Sequence, residues 1–161
     1  GLVGSELCIR DRLMAYTHVA HDAVVGDHCV LANCANIAGH VTIEDWVIIE
    51  GVVAVQQFVR IGQHAFVAGG SLVRKNIPPF VKVAREPLSY IGVNAIGLRR
   101  RGFADEFVRA VEDIYRTLYV TGGNMSQAIK VAEMELPISD AKETILDFIR
   151  ASDKGIVRGP F

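Results

Sequence analysis

His18-Val19-Ala20-His21-Asp22-Ala23-Val24-Val25-Gly26-Asp27-His28-Cys29-Val30-Leu31 carries the pattern that decides the fold, an aliphatic side chain at every sixth residue. Followed in both directions the register reads Leu13, Val19, Val25, Leu31, Ile37, Ile43, Ile49, Val55, Ile61, Val67 and Val73, all aliphatic. A second register stands two residues earlier: Thr17, Ala23, Cys29, Ala35, Val41, Val47, Val53, Val59, Ala65 and Ser71, each small or β-branched. Neither a 3.6-residue helical period nor plain alternation produces this. Short strands joined by tight turns do, with the aliphatic side chains pointing into a narrow prism. Three strands would make a coil of 18 residues, and coils would stack at the strand spacing of about 4.8 Å. Burial of these aliphatic side chains, at roughly 1.5–3 kcal/mol each, would supply the main driving force. Cys29 falls in the inward register and reads as a buried, inert thiol.

Working outward, the pattern stops at Ile77-Pro78-Pro79, since two prolines cannot continue a ladder. Residues 80–102 read as an extended connection with short turns at Glu86-Pro87 and Ile91-Gly92. From Ala104 the period becomes helical: Phe107, Val111, Ile114 and Leu118 share a face, ending at Gly122-Gly123. A second helix is expected over Met125–Glu135, capped by Asn124, and a third over Asp140–Ser152, capped by Ser139, with Gly155 past its end. The organisation is therefore a repeat prism over 13–79, a connecting segment over 80–102 and a helical domain over 103–161. Residues 1–12 look like translated sequencing-adapter sequence and are expected to be a foreign or disordered tail. The chain opens on Gly and so reads as a piece of a longer protein.

Of 161 residues, 50% are hydrophobic, enough for a core. Seventeen basic against 18 acidic residues argues against broad nucleic-acid binding. No apolar run approaches the roughly 20 residues of a membrane span. Three cysteines, Cys8, Cys29 and Cys34, in no zinc-like spacing point to a reducing cytoplasm.

The coil arithmetic also places chemistry. His21, Gly39 and Gln57 fall in one column, and Asp22, His40 and Phe58 in the next. Neighbours in a column would lie about 5 Å apart, and His18 precedes His21 by three residues. A neutral imidazole can take a proton from an alcohol near pH 7, a flanking carboxylate can orient it, and a bare Gly N–H can approach a thioester carbonyl as an oxyanion donor. Acyl transfer then needs no Ser or Cys nucleophile. Two readings compete with it. Prism surfaces carry scattered histidines without a job, which is how His28 and His64 read. Histidines on such prisms also hold zinc, as in the γ-class carbonic anhydrases. There one distant His is followed by two His five residues apart, and His18, His21 and His40 do not match, so no metal is assigned. Arg99-Arg100-Arg101 is either a solvated linker or a phosphate clamp; with Arg60, Arg74, Lys75, Lys82 and Arg85 it would also suit an acidic carrier.

His18-Val19-Ala20-His21-Asp22, Ala38-Gly39-His40, Ile77-Pro78-Pro79, Gly92-Val93-Asn94 and Gly97-Leu98-Arg99-Arg100-Arg101-Gly102-Phe103 resemble the acyl-carrier-protein–UDP-N-acetylglucosamine O-acyltransferases, which begin lipid A synthesis in Gram-negative bacteria. Arg85-Glu86-Pro87 resembles their Bacteroidota branch. The resemblance covers residues 13–158. It implies a left-handed parallel β-helix followed by helices, a cytoplasmic homotrimer with sites between subunits, and transfer of a 3-hydroxyacyl group from acyl carrier protein to the 3-hydroxyl of UDP-N-acetylglucosamine. The donor is the phosphopantetheine thioester, with no further cofactor. By motif match His21 is the general base, Asp22 orients it and Gly39 gives the oxyanion N–H. His18 and His40 line the site, Gln57 and Asn94 contact the nucleotide sugar, and Arg100 and Arg101 hold phosphates or the phosphopantetheine arm. Gly69 matches the position that limits acyl length. The chain departs at Gln56, where many relatives have His, at Ile96, where some have Glu, and in lacking several N-terminal coils. The sister N-acyltransferase and an inactive trimeric scaffold are the alternatives.

Overall fold

A computed structural model describes residues 6–7, 12–121 and 124–159. The six-residue period becomes a three-faced parallel β-solenoid. One face stacks Glu6–Leu7, Val24–Val25, Thr42–Ile43 and Arg60–Ile61. The second stacks Arg12–Leu13, Val30–Leu31, Ile48–Ile49 and Phe66–Val67, and the third His18–Val19, Asn36–Ile37, Ala54–Val55 and Leu72–Val73. Val24 stands opposite Thr42 and Asn36 opposite Ala54, so one rung takes 18 residues. From Val19 to Val73 every position of the aliphatic register is buried, and Ala23, Cys29, Ala35, Val41, Val47, Val53, Val59 and Ala65 fill the spaces between. Leu13, at the open end of the described rungs, is partly exposed.

The corners are built alike. Each turns on two residues, the second with a positive φ: Tyr16, Asp22, His28, Cys34, His40, Trp46, Val52, Phe58 and His64 all lie between 57° and 63°. The backbone N–H of that second residue donates to the carbonyl one rung above, as His40 does to His21 at 3.1 Å and Trp46 to Asp27 at 2.8 Å. Three corner columns result, identified below by His21, Trp46 and Gly69.

Two sequence expectations are corrected here. The segment 1–12 is not wholly a tail outside the fold: Glu6 and Leu7 pair with Val24 and Val25, and Arg12 with Val30. The ladder is made by backbone groups, which do not require a particular side chain, and Leu7 stands six residues before Leu13. Nor does the prism end at the prolines. Ile77 is buried and bridges to Ile61, Val81–Ala84 adds in parallel to Phe66–Val67, and Ser89–Val93 returns antiparallel to it. Pro78 and Pro79 sit at a corner, where no ladder donor is needed. Val73 is 18 residues from its partner Val55, whereas Lys82 is opposite Phe66, so the last rung is two residues short. The loss falls between Val73 and Ile77, beneath the His21 corner. The C-terminal segment closes there: Asn76 N–H donates to Gly155 O, and Val157 N–H to Asn76 O.

The helices follow. Helix α1, Ala95–Arg100, lies inside the stretch expected to be extended. Helix α2, Asp105–Arg116, continues as a π-helical turn over Thr117–Thr121; the expected stop at Gly122-Gly123 lies outside the described residues, as does Cys8. Helix α3 is Met125–Glu135 with Asn124 capping, and α4 is Asp140–Arg150 with Ser139 capping. The Arg60 guanidinium, paired with Glu44, lies 4.5 Å from the Phe148 ring and ties α4 to the solenoid. Among the described residues no helix is long and apolar enough to cross a membrane.

Candidate functional site

The His21 corner brings its expected residues together. His21 Nδ1 lies 2.8 Å from Asp22 Oδ2, and His40 Nε2 lies 3.8 Å from the same oxygen. The hydrogen bond from His21 holds the Asp22 carboxyl below its usual range, with His40 adding to the effect. A carboxylate accepts only, so His21 carries its proton on Nδ1 and presents the Nε2 lone pair. The two imidazoles meet edge to face at 5.1 Å, and His40 stacks on Phe58 at 4.9 Å with 6° between the planes.

Gly39 lies directly beneath the His21 ring. A Cβ there would come within 2.8 Å of His21 Cε1 and 2.9 Å of Nε2, so only glycine leaves the imidazole where it is. Among the described residues nothing accepts from the Gly39 N–H. Its counterparts in the other columns show what this N–H does: Asp27 N–H donates to Asp45 Oδ1, Gln63 N–H to Glu44 Oε2 and Gly69 N–H to Glu50 Oε2, at 2.8–2.9 Å. The first corner residue therefore points a donor outward at anionic oxygen. Gln57 follows Gly39 in the column, exposed, and exposed His18 lies on the strand leading into the corner. Among the described residues, the ligating atoms of His21, Asp22 and His40 also lie close enough together to hold a metal ion.

The remaining expected site residues lie at other corners of the same chain. His28, Trp46, His64 and Phe80 stack one above another down the Trp46 corner. Arg101 lies 5.4 Å from the Trp46 ring and donates to His64 Nδ1 at 3.1 Å. Burial, and then Arg101, push the His64 pKa from 6.5 down to about 4. Far from the idle surface histidine expected from the sequence, His64 is buried and its ring is braced by Arg101. Asn94, expected to contact the nucleotide sugar, is buried within the chain. Its Nδ2 donates to His64 O and its Oδ1 accepts from Gly97 N–H, capping α1. Arg100 is exposed at the end of α1, and Arg99 pairs with Asp105 at 2.7 Å. Gly69 belongs to the third corner, with its N–H held by Glu50.

Two residues at the His21 corner had no assigned role. Phe58 is 55% exposed and carries the His40 ring, and Lys154 Nζ lies 5.9 Å from the Phe58 centroid. Phe58 was visible in the column arithmetic; Lys154 was not, because the C-terminal segment reaches the corner only through the shortened rung.

The family model described as UDP N-acetylglucosamine O-acyltransferase, domain 2, matches residues 76–157, half of the chain. The chain belongs to that family. It is 43% identical over 151 residues to the acyl-[acyl-carrier-protein]–UDP-N-acetylglucosamine O-acyltransferase of Burkholderia lata, covering 91% of this chain and 57% of the relative. Among solved structures, the UDP-N-acetylglucosamine acyltransferase of Bacteroides fragilis superposes with a TM-score of 0.90 at 43% identity, covering 92% of this chain and 58% of that one. The enzyme from Francisella novicida gives 0.85 at 35% identity, over 93% and 55%. The chain thus spans about half the length of the UDP-N-acetylglucosamine acyltransferases it matches.

Proposed function

We propose that this chain supplies the catalytic corner for transfer of a 3-hydroxyacyl group from acyl carrier protein to the 3-hydroxyl of UDP-N-acetylglucosamine, the first step of lipid A synthesis. One observation carries the reading: an imidazole oriented by Asp22 lies over the backbone N–H of a residue without a side chain, which has no acceptor among the described residues. In this scheme His21 Nε2 takes the proton as the sugar oxygen attacks the thioester carbonyl. The oxyanion forms against the Gly39 N–H. As the intermediate collapses, His21 returns the proton to the departing phosphopantetheine thiolate. Asp22 stabilises the imidazolium between the two steps. The thioester already carries the activated acyl group, so the scheme uses no metal and no further cofactor.

The site as read is completed by a second chain. Asn94 and Arg101 stand at the Trp46 corner, one face of the solenoid away from His21, and Gly69 at the third. A cytoplasmic homotrimer of left-handed β-helices would set one subunit's Trp46 corner against the next subunit's His21 corner. There Arg100 and Arg101 would meet phosphates, with His18, His40 and Gln57 across the cleft. The Asn94 amide would contribute by fixing α1. The acyl chain would run on towards Gly69. The test is His21→Ala assayed with acyl carrier protein donor and UDP-N-acetylglucosamine. Loss of transfer by several orders of magnitude is expected, and unchanged transfer would remove His21 as the base. A glucosamine amine acceptor used in preference to the hydroxyl would move the chain to the sister N-acyltransferase.

A further inference from the structure

Three side chains of the kind zinc takes converge at the His21 corner. His21 Nδ1 and His40 Nε2 lie 2.8 and 3.8 Å from Asp22 Oδ2, and the three ligating atoms fall within 4.8 Å of one another. Tetrahedral zinc sits about 2.0–2.1 Å from nitrogen, which places its ligand atoms roughly 3.3 Å apart. The two spacings to Asp22 Oδ2 bracket that value, and the remaining gap between the two imidazoles, within 4.8 Å, closes by rotation of exposed side chains. Asp22 and His40 occupy successive rungs of one column with matched backbone angles, φ 57° and 59°, so their side chains leave the corner in parallel. Phe58 holds the His40 ring flat from below. Among the described residues no other three His, Cys, Asp or Glu side chains gather in this way.

We propose that His21, Asp22 and His40 form a binding site for Zn2+, with water in the open fourth position, and that the bound ion stops acyl transfer by reversing the tautomer of His21. The second half rests on the transfer reading above; the first does not. Without the ion, the His21 proton is on Nδ1, donated to Asp22, and the lone pair is on Nε2. Zinc at Nδ1 needs the lone pair there. The proton moves through solvent to Nε2, the imidazole stays neutral and the number of bound protons is unchanged. Nε2 then donates instead of accepting and cannot take a proton from an alcohol. The Asp22 carboxylate meanwhile exchanges an N–H partner for the cation.

Titration calorimetry of the chain with Zn2+ tests the site, and nitrogen chemical shifts of the His21 ring test the tautomer. One ion per chain is expected, with affinity weakened at least about tenfold by Asp22→Asn or by His40→Asn. Asparagine tolerates the positive φ at both positions, so both variants keep the corner. Cys34→Ser, which removes the thiol of a neighbouring corner, should leave binding unchanged. Binding that survives Asp22→Asn and His40→Asn, or no saturable binding, overturns the site. Zinc bound at these residues while transfer continues, or with Nδ1 still protonated, overturns the switch. A chain that transfers acyl groups and binds no zinc loses this proposal and keeps the enzyme reading; one that binds zinc and transfers nothing does the reverse.

Discussion

At Gly39 a single missing carbon decides where an imidazole stands. Gly39→Ala keeps the backbone N–H but drives a methyl into the His21 ring, which must swing away from the oxyanion position. Displacement of a catalytic group by about 1 Å costs on the order of a hundredfold in rate. We therefore expect kcat to fall by about that factor while the thermal midpoint changes little, since the corner is exposed. Steady-state kinetics beside a melting curve measures both. His64 gives a second prediction, on stability. Its pKa is 6.5 unfolded and about 4 folded. Between these values the unfolded chain binds a proton that the folded chain refuses, so stability is lost as pH falls from 6.5 towards 4. Phe adopts the same backbone at equivalent corner positions, Phe58 and Phe80, with φ 63° and 68°. His64→Phe should therefore fold and show a flatter midpoint-versus-pH curve over that interval. An unchanged slope would remove His64 as its source.

The element that repeats is the corner, and its second residue sits in a conformation that most side chains resist. A non-glycine residue there costs roughly 1–2 kcal/mol. Val52 is the most strained of them by type, β-branched at φ 60°, and is 68% exposed. Val52→Asn should therefore raise stability by about 1 kcal/mol in denaturant unfolding. The element scale is also where the sequence was most legible. The period of six fixed the strands, and addition of 18 correctly placed His21 over Gly39 and Asp22 over His40, because identical rungs turn sequence distance into spatial distance. Where rungs stop being identical, that arithmetic fails. The strands Val81–Ala84 and Ser89–Val93 follow a rung of different length, so nothing in their own sequence announces a partner. Asn94 shows a different limit. An amide facing a substrate and a buried amide capping a helix look the same in a sequence, and the cap shows only in the bonds of Asn94 to the His64 carbonyl and the Gly97 N–H.

At the scale of the molecule, one chain holds the parts of the site on separate corners, and that distribution makes the trimer testable through function. In a mixture of His21→Ala and Arg100→Ala chains, some clefts would pair the intact His21 of one subunit with the intact Arg100 of the next. Refolded together, the two inactive variants should recover part of the transfer activity. No recovery would mean that each site draws on one chain alone. Arg100 suits this because it is exposed, whereas Arg101 also braces His64.

The two-residue deficit between Val73 and Ile77 has a consequence for how such a pocket diversifies. Beneath Phe58 the backbone of Asn76 is stitched to Gly155 and Val157. The base of this corner thus draws on two stretches of chain some eighty residues apart, around Asn76 and around Gly155. Substitutions around Lys154 can alter its charge or depth without disturbing any rung, so ligand preference and scaffold integrity are free to evolve on separate stretches of the gene.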